Sequence, residues 1–145
     1  MHSAKFKGPV GLILKEKDVI RENLSKVISL VEAEPEKWVD LGRYVSKLMC
    51  GTFHCTLGLI AASGNWPEIW LDDCSVIISD EYLAYESDIL NDLFGVSAYE
   101  RLFHQRGSGD WDVELLAILG EGVSDKELAL ARLKCQLKFY PEVVA

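Results

Sequence analysis

Ile20, Leu24, Val27, Ile28 and Val31 fall on one face of a helix, and no other pattern in the 145-residue chain restricts its fold so strongly. Asp18 stands where it can cap the first turn, so the spacing predicts an amphipathic helix over 18–34. Pro35 suits the first turn of a second helix, in which Trp38, Leu41, Val45 and Leu48 keep helical spacing as far as Met49. Two helices so close in sequence predict an antiparallel helical hairpin. Ahead of them, residues 1–17 read as an N-terminal arm or strand: Gly8, Pro9 and Gly11 break a helix, and the apolar residues from Val10 to Leu14 suit extended backbone.

Beyond Gly51 the same logic predicts a short apolar helix from about His54 to Ala62, closed by the Ser63-Gly-Asn-Trp-Pro67 stretch. Glu68–Leu71 and Cys74–Ser79 are β-prone and can pair as a hairpin around Asp72 and Asp73. Ser97–Glu100 and Ser124–Glu127 both have the spacing of a capping box. Gly95, Gly107 and Gly120 stand where helices over 87–94, 97–106 and 110–119 should stop, and a last helix over 124–139 ends before Pro141. The expected fold is therefore mainly α: one compact helical domain over 18–140, with about six helices and room for one small β-hairpin.

The composition agrees, since 49% of the residues are hydrophobic and a chain of this length can bury a core without staples. No apolar run approaches the roughly 18 residues that cross a bilayer, and the patch near the N-terminus is too short for a signal-peptide core. These features predict a cytoplasmic protein with no membrane association. The four cysteines, at 50, 55, 74 and 135, have no regular pair spacing and are expected to be free thiols.

Charge is unevenly placed. Between Lys47 and Arg101 there is no Lys or Arg, yet Glu68, Asp72, Asp73, Asp80, Glu81, Glu86, Asp88, Asp92 and Glu100 all lie there. The whole chain carries −8, so everything outside that stretch of nine acids comes to +1. Such a field draws basic surfaces and repels nucleic-acid backbone, which argues against direct DNA or RNA binding. Within it, Trp66 and Trp70 flank Pro67, and aromatic anchors ringed by charge are typical of protein-binding hot spots. Trp66, Trp70, Asp72, Asp73, Asp80 and Glu81 are thus the expected partner-binding residues. A solvated acidic surface and two core tryptophans would explain the same residues without a partner.

Three other constellations bear chemistry. Cys50, His54, Cys55 and Cys74 include zinc-ligand types, but their spacing is not that of paired structural-zinc ligands, and Cys55 would point about 100° away from a Cys50–His54 chelate. Cys55 in the first turn of a helix could be an activated thiol, with His104 as base and Asp110 as its orienting carboxylate, or simply a buried apolar residue. The acidic pairs Asp72-Asp73 and Asp80-Glu81 sit in no recognisable cation loop. No phosphate loop or other cofactor motif is present, so no cofactor is expected.

The stretches Glu34–Lys47, Phe53–Gly64 and Leu90–Val96 resemble small uncharacterised proteins of bacteriophage and actinobacterial genomes. Those have a P-x-K-W helix, then a helix with an aromatic-Cys-x-Leu-Gly pattern, then a later helix pair. They carry an aromatic-Asn-Asp motif where this chain has Gln105–Trp111. The resemblance implies a phage or mobile-element setting, in which small acidic helical proteins bind and block host proteins; it transfers no functional residue. The expected function is an acidic cytoplasmic inhibitor, of anti-defence or immunity type, that covers a basic surface of a partner such as a nucleic-acid-processing enzyme. A cysteine-dependent hydrolase or transferase built on Cys55 and a histidine is the alternative.

Overall fold

The structure is a computed structural model that describes residues 14–41, 55–72, 75–80, 83, 85–107 and 109–142. Among the described residues there are six α-helices and one two-stranded antiparallel sheet, so the protein is mainly α with a small β-hairpin. The helices are α1 (Leu14–Ala33), α2 (Thr56–Ser63), α3 (Glu86–Phe94), α4 (Ala98–Leu102), α5 (Asp110–Leu119) and α6 (Asp125–Leu137); β1 (Ile69–Asp72) and β2 (Ser75–Ile78) form the hairpin. No helix among the described residues is long and apolar enough to cross a membrane.

The stripe that opens the sequence does what its spacing demands: Ile20, Leu24, Val27, Ile28 and Val31 are buried. The helix that carries them begins at Leu14, four residues ahead of the expected start, so 14–17 belong to α1 and not to an arm or strand. Its main partner is α6, which buries Leu128, Ala129, Arg132, Leu133 and Gln136. The two run antiparallel. Lys126 at the start of α6 donates to the carbonyls of Glu32 (2.9 Å) and Glu34 (2.7 Å), and Arg21 reaches Pro141 O beyond the far end of α6 (3.1 Å). Lys126 thereby gives α1 the cation at its C-terminal end that its own last turn lacks.

The second helix expected from Pro35 does not form over the described residues. Glu36–Trp38 makes a single 3-10 turn and Val39 is extended. The cause is non-local: Leu41 N–H donates to Asp125 Oδ2 (2.9 Å) and Leu41 O accepts from Arg106 N–H (3.2 Å), so the backbone here is bonded to α6 and to the loop before α5. The rest of that expected helix, 42–49, lies outside the described residues, as does most of the expected arm.

α2 is buried from Thr56 to Ala61, and Gly64 ends it in the left-handed conformation at φ 72°. It packs between α1 and the hairpin. β1 and β2 pair Ile69 with Ile78, Trp70 with Ile77, Leu71 with Val76 and Asp72 with Ser75. Alternation sends Ile69, Leu71, Val76 and Ile78 to the core and turns Trp70 and Asp72 outward.

α3 ends at Gly95, as expected, but α4 stops at Leu102 instead of running to 106. The carbonyls of Leu102, His104 and Gln105 that would continue it accept instead from the Arg132 guanidinium. Ser97 makes no capping bond and sits at φ 54°; Asn91 Oδ1 takes the Tyr99 N–H (2.9 Å) in its place. The Ser124 cap does form, accepting from Glu127 N–H (3.2 Å).

Candidate functional site

The tryptophans of the acidic segment have opposite fates. Trp66 is 5% exposed and meets Phe94 edge-on, with centroids 5.4 Å apart; Phe94 in turn meets Phe103 at 5.6 Å. It is a core residue, so its expected role as a partner anchor is corrected: its ring packs inside the fold and does not stand at the surface. Trp70 is 41% exposed on the outward side of the hairpin, across from Ile77 and one alternation from the exposed Asp72. Asp80 is half-buried, and Asp73 and Glu81 lie outside the described residues.

Further acids of the segment stand in the open: Glu86 and Asp88 occupy the first turn of α3, next to Tyr85, which is also exposed. Asp72, Glu86 and Asp88 take part in none of the ion pairs formed among the described residues, Arg21–Asp18, Arg106–Asp125, Arg132–Asp112 and Lys134–Glu32. The negative charge of Asp72, Glu86 and Asp88 is therefore presented to solvent. Val113 and Ile118 on α5 are exposed apolar residues as well, but they lie outside the base-free segment.

The cysteine and histidine of the expected catalytic set line the same cavity. A cavity of about 430 Å³ opens between the start of α2, α4 and α6, and Cys55 and His104 both line it. Cys55 is the N-cap of α2, its sulfur accepting from Gly58 N–H at 3.4 Å. Burial pushes its thiol up to about 12, against the smaller lowering effect of the backbone N–H groups at the helix start, and the charge of Asp40 adds to the rise. Burial outweighs the helix-start placement, which therefore does not activate the thiol. Asp110 is exposed at the head of α5 and does not line the cavity. The zinc set is not brought together among the described residues, because Cys50, His54 and Cys74 lie outside them.

A carboxylate and a guanidinium not singled out by sequence organise this region. Arg132 projects from the buried stripe of α6 and is 1% exposed. Its Nε donates to Asp112 Oδ1 (2.7 Å), Nη2 to Asp112 Oδ2 and Gln105 O (3.4 Å), and Nη1 to Leu102 O (3.3 Å) and His104 O (2.9 Å). All five N–H groups are thus committed. Asp112 also accepts from Gly107 N–H (2.8 Å). Burial alone would raise the Asp112 carboxyl, but the Arg132 and Gly107 hydrogen bonds and the charges of Arg132 and Arg106 outweigh it and hold the group below the usual carboxylate range. The pair pins the loop from Phe103 to Gly107, which carries His104 into the cavity wall. The available signal was an arginine in the stripe of Leu128, Ala129 and Leu133, a place that demands a buried partner.

Among the described residues, two polar atoms of cavity-lining residues have no partner. Thr56 Oγ1 and His104 Nε2 are each shut away from water without a hydrogen bond, at a cost of about 1–3 kcal/mol apiece. His104 meets Tyr99, a third lining residue, edge-to-face at 5.5 Å and 78°.

Compared with known proteins, the chain matches no family model, no curated protein and no solved structure.

Proposed function

We propose that the protein is a cytoplasmic interaction protein, an inhibitor of anti-defence or immunity type in a phage or mobile-element setting. It would act by covering a basic surface of another protein, such as a nucleic-acid-processing enzyme. The observation that carries this reading is Trp70, held out on the hairpin beside Asp72 while its neighbour Trp66 is withdrawn into the core. A large aromatic side chain on a strand costs little conformational entropy when it docks, and the exposed acids Asp72, Glu86 and Asp88 of the same base-free segment steer a basic partner towards the protein. Lys and Arg on that partner would replace the solvent that now surrounds Asp72, Glu86 and Asp88.

The test is capture from bacterial extract by the immobilised chain, run beside a Trp70→Ala/Asp72→Lys variant of matched circular dichroism. A basic protein retained by the wild type, released by salt and lost with the variant is expected. Capture that neither salt nor the double substitution changes would contradict the reading.

The hydrolase alternative has one geometric point in its favour, the shared cavity of Cys55 and His104. Against it stands the protonated, helix-capping state of the thiol. Iodoacetamide at neutral pH should modify Cys55 only after denaturant is added; modification in the folded protein faster than that of free cysteine would restore the enzymatic reading.

A further inference from the structure

Beside its outward face, the hairpin has a strand edge that meets no further strand among the described residues. We propose that β2 takes up an extended segment of the basic partner as a third strand, one in which basic residues alternate with apolar ones. This rests on the reading that the partner is basic, and adds how its chain is held.

The register decides which backbone groups are on offer. Ser79 N–H donates to Glu68 O (2.9 Å), and these two residues stand opposite each other one step beyond the Ile69–Ile78 pair. Hydrogen-bonded pairs alternate with non-bonded ones in an antiparallel ladder, so Trp70–Ile77 and Asp72–Ser75 are the bonded pairs that follow. The N–H and C=O groups of Val76 and Ile78 therefore point away from β1, and among the described residues no backbone group meets them. The corresponding edge of β1 is partly used, since Ile69 N–H donates to Trp66 O (3.1 Å). Proteins guard such edges with charges, proline or a bulge. β2 has none of these: its residues from Ser75 to Ile78 are uncharged, they pair with β1 in unbroken register, and none of them is buried.

A third strand on β2 continues both faces of the sheet. Its residues opposite Val76 and Ile78 lie on the side that packs against the core, where apolar side chains belong; those opposite Ser75 and Ile77 lie on the side of Trp70 and Asp72. Charge selects the occupant. Asp72 and Asp73 precede β2, Asp80 and Glu81 follow it, and no Lys or Arg lies between 48 and 100. A second copy of β2 would set these acids against their own kind, whereas Lys or Arg on the outward side of an incoming strand meets them with opposite charge. Backbone hydrogen bonds then hold the segment, and its alternating side chains give the choice of sequence.

The proposal is tested by amide hydrogen exchange of the ¹⁵N-labelled full chain with a short capped peptide of alternating lysine and valine. Two counterparts are run beside it, one with glutamate for lysine and one with N-methylated valines. In the free chain the Val76 and Ile78 amides should exchange much faster than that of Ile77, which β1 holds. The lysine peptide should slow both at least about tenfold at saturation, and neither counterpart should do so. Slow exchange at Val76 and Ile78 in the free chain, no saturable effect of the lysine peptide at millimolar concentration, or equal protection by either counterpart would overturn the proposal. So would protection that grows with protein concentration alone, which assigns the edge to a second copy. The two readings fail separately. A lysine peptide that binds but leaves both amides unprotected overturns strand addition and spares the basic docking face; one that pairs at β2 while no basic protein is captured from extract overturns the partner and spares the edge.

Discussion

Arg132 and Asp112 illustrate how a few residues hold this fold. A buried ion pair is of little net worth against a well-packed apolar substitute, but breaking it leaves an uncompensated charge, which typically costs about 3–5 kcal/mol. Asp112→Asn should lower the free energy of unfolding at neutral pH by that amount in denaturant titrations. Because the folded carboxyl is held below its ordinary value, the stability it contributes is complete above the unfolded value of about 3.9 and is lost as pH falls through the folded one. The gap between wild type and Asp112→Asn should therefore narrow below about pH 4; a gap constant down to pH 2 would contradict this. Gly95 is a second single-residue constraint. It sits at φ 103°, and a Cβ there would lie 2.6–2.8 Å from the Tyr140 ring, whose hydroxyl accepts from Val96 N–H at 2.8 Å. Gly64, also at positive φ, has open space around it. Gly95→Ala is expected to destabilise by about 2–4 kcal/mol and Gly64→Ala by about 1 kcal/mol, measured by equilibrium unfolding. Equal losses would show that the contact with Tyr140 is unimportant.

At the scale of elements, the reading of the sequence succeeded where local pattern and tertiary packing agree. The stripe in α1, the capping serine of α6, the glycine stop of α3 and the hairpin all have causes within a few residues of themselves. It failed where distant groups claim the backbone. Nothing local to Leu41 shows that Asp125 and Arg106 will take its N–H and carbonyl, and nothing local to Leu102 shows that a guanidinium thirty residues on will end its helix. The two expected capping boxes separate on the same ground. Ser124→Ala should cost about 1 kcal/mol in denaturant midpoint experiments, since its oxygen takes the Glu127 N–H. Ser97→Gly should stabilise by about 0.5–1 kcal/mol, since Ser97 makes no cap bond and occupies a left-handed conformation. A destabilised Ser97→Gly would mean that its side chain does more than that geometry allows.

For the whole molecule, charge and topology together decide what is on offer to a partner. The concentration of acids was legible at once, because it needs only counting. The division of labour between Trp66 and Trp70 was not, because four residues of spacing around a proline do not reveal which ring points inward until the strand register is known. Nor was the cavity, whose walls come from α2, the loop after α4 and α6, segments distant in sequence. The central claim is that the outward face of the hairpin, not the exposed apolar residues of α5, is the docking surface. It is tested most directly by measuring association and dissociation rates of a captured basic partner with the wild type, Trp70→Ala and Val113→Ser/Ile118→Ser. An association rate that falls steeply with added salt is expected, with a dissociation rate raised at least about tenfold by Trp70→Ala but unchanged by the α5 substitutions. Salt-independent association, or dissociation that responds to the α5 substitutions and ignores Trp70→Ala, would contradict it.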